Sequence, residues 1–380
     1  MPAPTRLSVH DILDLFRNPQ PGLLVSAHRG LRWDGVPENS TDAVLNAARA
    51  GLLCIEVDLR LTSDGTPILF HDRLLGRTTN IAEHLARKDI YSPYTGKGYA
   101  PPANSLPWSL VRQLKVKNEH GKITDEGILD FATFLDLIKA HGIDIIVFLD
   151  VKDKESMPIA YDVMKTRTNA RGAPASDWCV WKPVIEFYPT PAELEAESWF
   201  QHALATSAPQ YIPVFEPSSA GSMDVLAAAK AYATRPYTLA LEVGLRAPDG
   251  PLRSLVDWAR GAGIALGWFG TLGDIHPADG RGEVYDLAGF DLAAYQKPGA
   301  PLVFDEGIPP TSYDNLLAPG DAPDGKDWRY DLELFKSLGY TWVIADLTHR
   351  SASLFEAQSA FQQPTDRVWR DARIAQARGI

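Results

Sequence analysis

In the stretch SAHRGLRWDGVPENSTDAV, residues 26–44, His28 and Arg29 stand side by side where an apolar run ends. A strand-to-helix connection needs a glycine and a cap, which Gly30 and Ser40 supply; it needs neither a histidine nor an arginine. Glu56 and Asp58 lie two apart on the next apolar run and so share one face of a strand. Asp150 and Lys152 repeat that spacing at the end of a third run. Three carboxylates converging on one place repel each other unless a cation sits among them. An all-oxygen donor set suits a hard ion, Mg2+ or Ca2+, rather than zinc.

A seventh residue is placed by counting. After Asp58 the chain reads LRLTSDGTPILFHD, in which Asp64-Gly65 signals a type I′ turn. With those two residues as the loop, Ser63 faces Thr66 and His71 falls opposite Asp58. The spacing therefore predicts His71 beside the carboxylates. Two histidines, an arginine, a lysine and a cation site suit one chemistry, the cleavage of a phosphodiester. Arg29 and Lys152, with the metal, neutralise charge on the phosphate. Histidine titrates near neutral pH and serves as acid or base, and the residues do not say which of His28 and His71 takes which role. Each feature has an ordinary structural reading when taken alone; their coincidence at strand ends carries the functional one.

The elements that must position these residues are legible as a rhythm. Strand-like apolar runs fall at 22–27, 52–59, 144–151, 179–187, 210–216, 237–243, 263–269 and 340–346. Continuous apolar runs suit strands covered on both faces, as in a parallel sheet. Amphipathic segments lie between them: STDAVLNAARAG with Ser40 as N-cap, LDFATFLDLIKAHG from about Asp130, then SMDVLAAAKAYA, LRSLVDWARGAG and DLELFKSLG. Eight strands alternating with helices predict an α/β fold, a (β/α)8 TIM barrel, whose functional site lies at the C-terminal ends of the strands. An open doubly wound sheet is disfavoured because no GxGxxG opens a βα unit. The expected organisation is one barrel domain over 1–380, its rhythm broken after the second strand by a Pro-, Gly- and Tyr-rich segment at 81–127. A long Gly-, Pro- and Asp-rich segment at 270–330 separates strands seven and eight, and a helical tail is expected at about 350–380.

The composition bounds the rest. Hydrophobic residues are 45% and charged residues 22%, enough for a large core. The net charge of -11 argues against a nucleic-acid partner or a polybasic membrane anchor, so a small anionic substrate needs local positive groups or a metal. The two cysteines, Cys54 and Cys179, read as small buried residues. No apolar run is long enough to span a bilayer, and the first residues lack the apolar core of a signal peptide; a cytoplasmic protein or the mature form of a secreted one is expected.

The segments AHRG at 27–30, PENS at 37–40 and IEVDLRLTSDGTPILFHDRLLGRTT at 55–79 together resemble the glycerophosphodiester phosphodiesterase family. ILDFATFLDLIKAHGIDIIVFLDVK is similar to that family's third βα region, and WVIAD to its closing strand. The resemblance implies a TIM barrel with an insertion at about 73–130 after the second strand, and a divalent cation, Mg2+ or Ca2+, on Glu56, Asp58 and Asp150, where family members often show glutamate at the third position. It implies His28 and His71 as the general acid/base pair and Arg29 on a phosphate-binding position. Glu38 and Asn39 are supporting residues, with a simple helix cap as the competing reading. The implied reaction takes a small glycerophosphodiester to glycerol 3-phosphate and an alcohol, with a cyclic phosphate as one route. Two other readings are weighed: a phospholipase D-like or lysolipid-cleaving barrel, for which the insertion and Trp268-Phe269 would line an apolar channel, and a non-catalytic phosphate- or polyol-binding barrel.

Overall fold

The computed structural model describes residues 7–18, 23–32, 35–92, 97–118, 121–270 and 332–345, with four short strand segments between 275 and 312. The expected tail at 350–380, Asp346 of the closing strand and most of 270–330 lie outside the described residues.

The strands in chain order begin with β1 (Leu24–Ala27), β2 (Cys54–Leu61) and β3 (Pro67–Leu69), followed by β4 (Lys115–Lys117) and β5 (Ile123–Gly127). Next come β6 (Ile146–Val151), β7 (Cys179–Pro183), β8 (Gln210–Tyr211), β9 (Val214–Phe215), β10 (Leu241–Val243) and β11 (Leu266–Gly270). Two small antiparallel pairs, β12 (Ile275–His276) with β13 (Glu283–Val284) and β14 (Pro301–Leu302) with β15 (Thr311–Ser312), precede the last strand, β16 (Trp342–Ala345). The large sheet runs β8-β7-β6-β2-β1-β16-β11-β10-β9, parallel throughout, with β3 antiparallel beside β2.

The two ends of that path meet. β8 and β9 are separated only by Ile212 and Pro213, and the break falls at the proline, which has no N–H for a ladder. Ile212 N still bonds Trp181 O at 2.8 Å, and Glu242 N bonds Pro213 O at 3.2 Å. Val184 and Val214 bridge in parallel. β8 and β9 therefore act as one interrupted strand, and eight parallel strands close into the expected barrel. All eight apolar runs became its staves.

The helices form where expected and for the expected reasons. Ser40 Oγ caps Thr41–Arg49 by accepting from Ala43 N at 3.3 Å, and Asp130 caps Phe131–Ala140 by accepting from Thr133 N at 2.9 Å. Val225–Ala233, Arg253–Gly261 and Leu332–Ser337 complete the later repeats. A further helix, Val9–Arg17, closes the N-terminal end of the barrel. Its Phe16 packs edge-on to Phe148 at 5.8 Å and to Trp342 at 6.0 Å, so this end is filled with aromatic rings. Chemistry is left to the other end.

Gly267 makes room for that filling. It pairs in register with Trp342, and a Cβ built on it would lie inside the Trp342 indole. Gly267→Ala is expected to cost roughly 3 kcal/mol, read as a lowered urea midpoint at unchanged slope. An unchanged midpoint would mean that the indole can move aside.

The hairpin after β2 differs from its predicted register. Leu59 pairs with Leu69 and Leu61 with Pro67, while Thr62 N bonds Thr66 O at 3.0 Å. The loop is thus three residues, Ser63, Asp64 and Gly65, not two. Gly65 takes φ +78°, the left-handed position that such a loop requires. Phe70, not His71, bonds opposite Asp58 (Phe70 N to Asp58 O, 3.1 Å). The segment from 70 to 130 carries β4, β5 and short helical turns around a small second core of Ile68, Phe70, Leu75, Ile81, Val111, Leu114, Val116 and Ile128. Cys54 and Cys179 are free and buried. Among the described residues no helix is long and apolar enough to cross a membrane.

Candidate active site

The C-terminal ends of β1, β2 and β6 bring the predicted carboxylates together. β2 and β6 run in register with Asp58 beside Asp150. Glu56, Asp58 and Asp150 each offer an oxygen within 4.8 Å of the others. Glu56 and Asp58 are fully buried, and Glu56 Oε1 has no hydrogen-bond partner. Burial, with Asp58 and Asp150 as neighbours, pushes the Glu56 carboxyl well above its ordinary range. Such a donor set, all oxygen and one atom short of a partner, fits a hard divalent cation, and these three residues can hold one.

Cations and backbone fix the carboxylates in place. Lys152 Nζ lies 3.1 Å from Asp58 Oδ1 and 3.0 Å from Asp150 Oδ2. Burial works against charge on Lys152, but Asp150 and Asp58 raise its pKa overall. Asn39 donates Nδ2 to Asp58 Oδ2 at 2.9 Å and accepts from Asp58 N at 3.2 Å, so it braces Asp58 from both sides. Arg29 N donates to Glu56 Oε2 at 2.9 Å, and Arg29 Nε sits 3.4 Å from Asp58 Oδ2. To do this Arg29 adopts φ +56°, and Asn39 adopts φ +53°. Two non-glycine residues in the left-handed region at one site mark backbone held by its surroundings. Gly30, at φ +83°, lies where a Cβ would meet Ala43 Cβ at 2.7 Å. The turn that presents His28 and Arg29 thus packs directly onto the helix that follows.

Glu38 links this turn to the insertion. Its carboxylate meets Arg29 at 2.9 Å and Arg77 at 3.2 Å. Burial opposes its charge, yet Arg29 and Arg77 hold its pKa down at about 2. Because the folded value lies below the ordinary one of 4.5, Glu38 contributes stability above that value. That contribution is lost as pH falls from about 4.5 towards 2. Glu38→Gln should therefore flatten the fall in urea stability across that window and lower stability at pH 7. Parallel curves for the two proteins would count against the pairing.

The histidines flank the cluster. His28 N bonds Ala345 O at 3.1 Å, and its ring lies 4.7 Å from the Phe269 ring. Burial, with Arg29 and Arg32 nearby, depresses the His28 pKa well below its usual value. His71 reaches the site although its ladder partner is not Asp58, because the chain leaves the ladder after Leu69. Burial and the charges of Arg29 and Lys152 lower its pKa, while Asp58 and Glu38 oppose the shift. Its Nδ1 lies 2.7 Å from Asp72 Oδ1.

Lys182 and Glu242 escaped the sequence reading, as did Asp72 and Arg77. Lys182, on β7 beside Asp150, places Nζ 3.4 Å from Asp150 Oδ2 and 3.2 Å from Glu242 Oε2 on β10. Both are buried. The available signal was a single charge inside the apolar runs CVWKPV and LALEVG. Trp268, a channel residue only under the lysolipid alternative, stacks on Phe335 at 4.7 Å on the helix-covered side of β11.

Fold and site together define a closed parallel β/α barrel whose C-terminal mouth gathers three carboxylates, three cations and two histidines. Residues 28–196 match the Glycerophosphoryl diester phosphodiesterase family model, a stretch that holds every site residue except Glu242. The chain is 30% identical over 152 residues to an uncharacterized protein of Sinorhizobium fredii, covering 37% of this chain and 36% of that one. It is 37% identical over 79 residues to Glycerophosphodiester phosphodiesterase 1 of Rattus norvegicus, covering 21% of this chain and 22% of the relative. These matches span about a third or less of those relatives' length. In fold it is similar to a crystal structure of a glycerophosphoryl diester phosphodiesterase from Parabacteroides distasonis, with a TM-score of 0.54, 17% identity and 94% of each chain covered.

Proposed function

We propose that this protein is a metal-dependent phosphodiesterase that hydrolyses glycerophosphodiesters to glycerol 3-phosphate and an alcohol. The observation that carries the reading is the Glu56–Asp58–Asp150 cluster flanked by His28 and His71 at one barrel end. Glu56, Asp58 and Asp150 would hold a divalent cation, Mg2+ or Ca2+, which would supply Lewis-acid charge to the reaction. Arg29 and Lys152 bring positive charge to the phosphate, and the carboxylates beside them, Glu56 and Asp58, are buried. Their own carboxylate partners keep both cations oriented before substrate arrives. Burial and neighbouring cations lower the pKa of both histidines, which favours the neutral ring that a base requires. One takes the proton from the attacking hydroxyl, which is either water or a glycerol hydroxyl that closes a cyclic phosphate. The other must enter the step as the imidazolium, pass its proton to the leaving alkoxide and be left neutral.

The test is release of glycerol 3-phosphate from glycerophosphocholine by EDTA-treated protein, before and after Mg2+ or Ca2+ is added. Activity lost on chelation and restored by one ion is expected. Silence with every ion would refute the substrate assignment. Faster turnover of lysophosphatidylcholine than of glycerophosphocholine would favour the lysolipid reading, against which the packed position of Trp268 stands.

A further inference from the structure

We infer that Asp72, clamped by Arg77, is a positioning residue that fixes the tautomer and orientation of His71 and leaves Nε2 as the nitrogen that works in the cleft. The inference rests on the reading of His71 as an acid/base group.

The geometry leaves one assignment of the ring proton. Asp72 is fully buried, and Arg77 grips it with Nε on Oδ2 and a terminal nitrogen on Oδ1. Both oxygens of a carboxylate gripped by a two-pronged guanidinium act as acceptors. His71 Nδ1, 2.7 Å from Asp72 Oδ1, must therefore be the donor. In the neutral ring Nε2 is then the bare nitrogen. When Nε2 takes a proton, the adjacent carboxylate stabilises the imidazolium.

The clamp also ties the ring to the carboxylate cluster. The second terminal contact of Arg77 is Glu38 Oε1 at 3.2 Å, and Glu38 Oε2 receives Arg29 at 2.9 Å. Arg29 in turn reaches Asp58 at 3.4 Å. An unbroken alternation of charge thus runs from the His71 ring to Asp58. The backbone of His71 is held separately, since Arg60 Nε donates to His71 O at 2.7 Å and Arg60 also meets Asp153 at 3.3 Å. A loop residue that has left its ladder is in this way fixed at both ring and carbonyl.

The experiment is a long-range proton–nitrogen correlation spectrum of the full-length, metal-free protein labelled with 15N-histidine. The His71 signals are assigned by their loss in His71→Gln. The neutral ring of the wild type should carry its proton on Nδ1. Asp72→Asn should shift it partly or wholly to Nε2, and kcat should fall on the order of 10²- to 10⁴-fold with KM little changed. A wild-type ring protonated on Nε2 would overturn the inference without any variant, so a poorly folding Asp72→Asn protein does not protect it. If His71→Gln is inactive while Asp72→Asn keeps both the Nδ1–H ring and the wild-type kcat, the positioning role fails alone. If His71→Gln is fully active, the acid/base reading of His71 fails first.

Discussion

Replacing His28 or His71 by alanine lowers kcat by about 10²- to 10⁴-fold while the protein stays folded. The two rings flank the carboxylate cluster from the loops after β1 and β3, and in the proposed reaction they do different work, so neither replaces the other. Neither ring holds the barrel together. His28 lies against Phe269 at the rim, and His71 is on a loop fixed by Arg60 and Asp72. Steady-state kinetics on glycerophosphocholine, with circular dichroism and a urea midpoint for each variant, make the check. Turnover near wild type in either variant removes that histidine from the chemistry, and a collapsed urea midpoint gives it a structural role instead.

Lys182→Met destabilises the metal-free protein by roughly 3 kcal/mol, and adding Glu242→Leu recovers much of the loss. The single change leaves Glu242 buried with its cation gone and removes one of the two lysines on Asp150. Glu242 already sits above the ordinary carboxyl range because of its burial, against the pull of Lys182. It can therefore take up a proton, which keeps the cost near the lower end for a broken buried pair. Turning both partners apolar removes the stranded charge altogether. Urea unfolding of the two variants decides the matter. A single variant as stable as wild type, or a double variant no better than the single, would contradict the pairing.

The barrel was legible because its strands are buried on both faces. Each of the eight staves appears as a continuous apolar run, and caps such as Ser40 and Asp130 mark the helix starts locally. His28, Glu56, Asp58, Asp150 and Lys152 stood out because a polar residue at the end of such a run requires an explanation. The hairpin register was misread by one residue. Asp64-Gly65 serves a two-residue loop or the last two positions of a three-residue loop equally well, and the choice depends on how Pro67 and Leu69 meet β2. Lys182 and Glu242 went unnoticed because each is a single charge in a run whose pattern says buried strand. Only the register of β7 against β6 shows that Lys182 lies beside Asp150. The Asp72–Arg77 clamp joins residues five apart on a loop, and no periodicity announces it.

The most direct measurement is a 31P NMR time course of glycerophosphocholine with the metal-loaded protein. The reading predicts that the diester signal gives way to that of glycerol 3-phosphate, with choline released and no phosphocholine formed. A diester signal that persists with either ion, or its conversion to phosphocholine, would contradict the account.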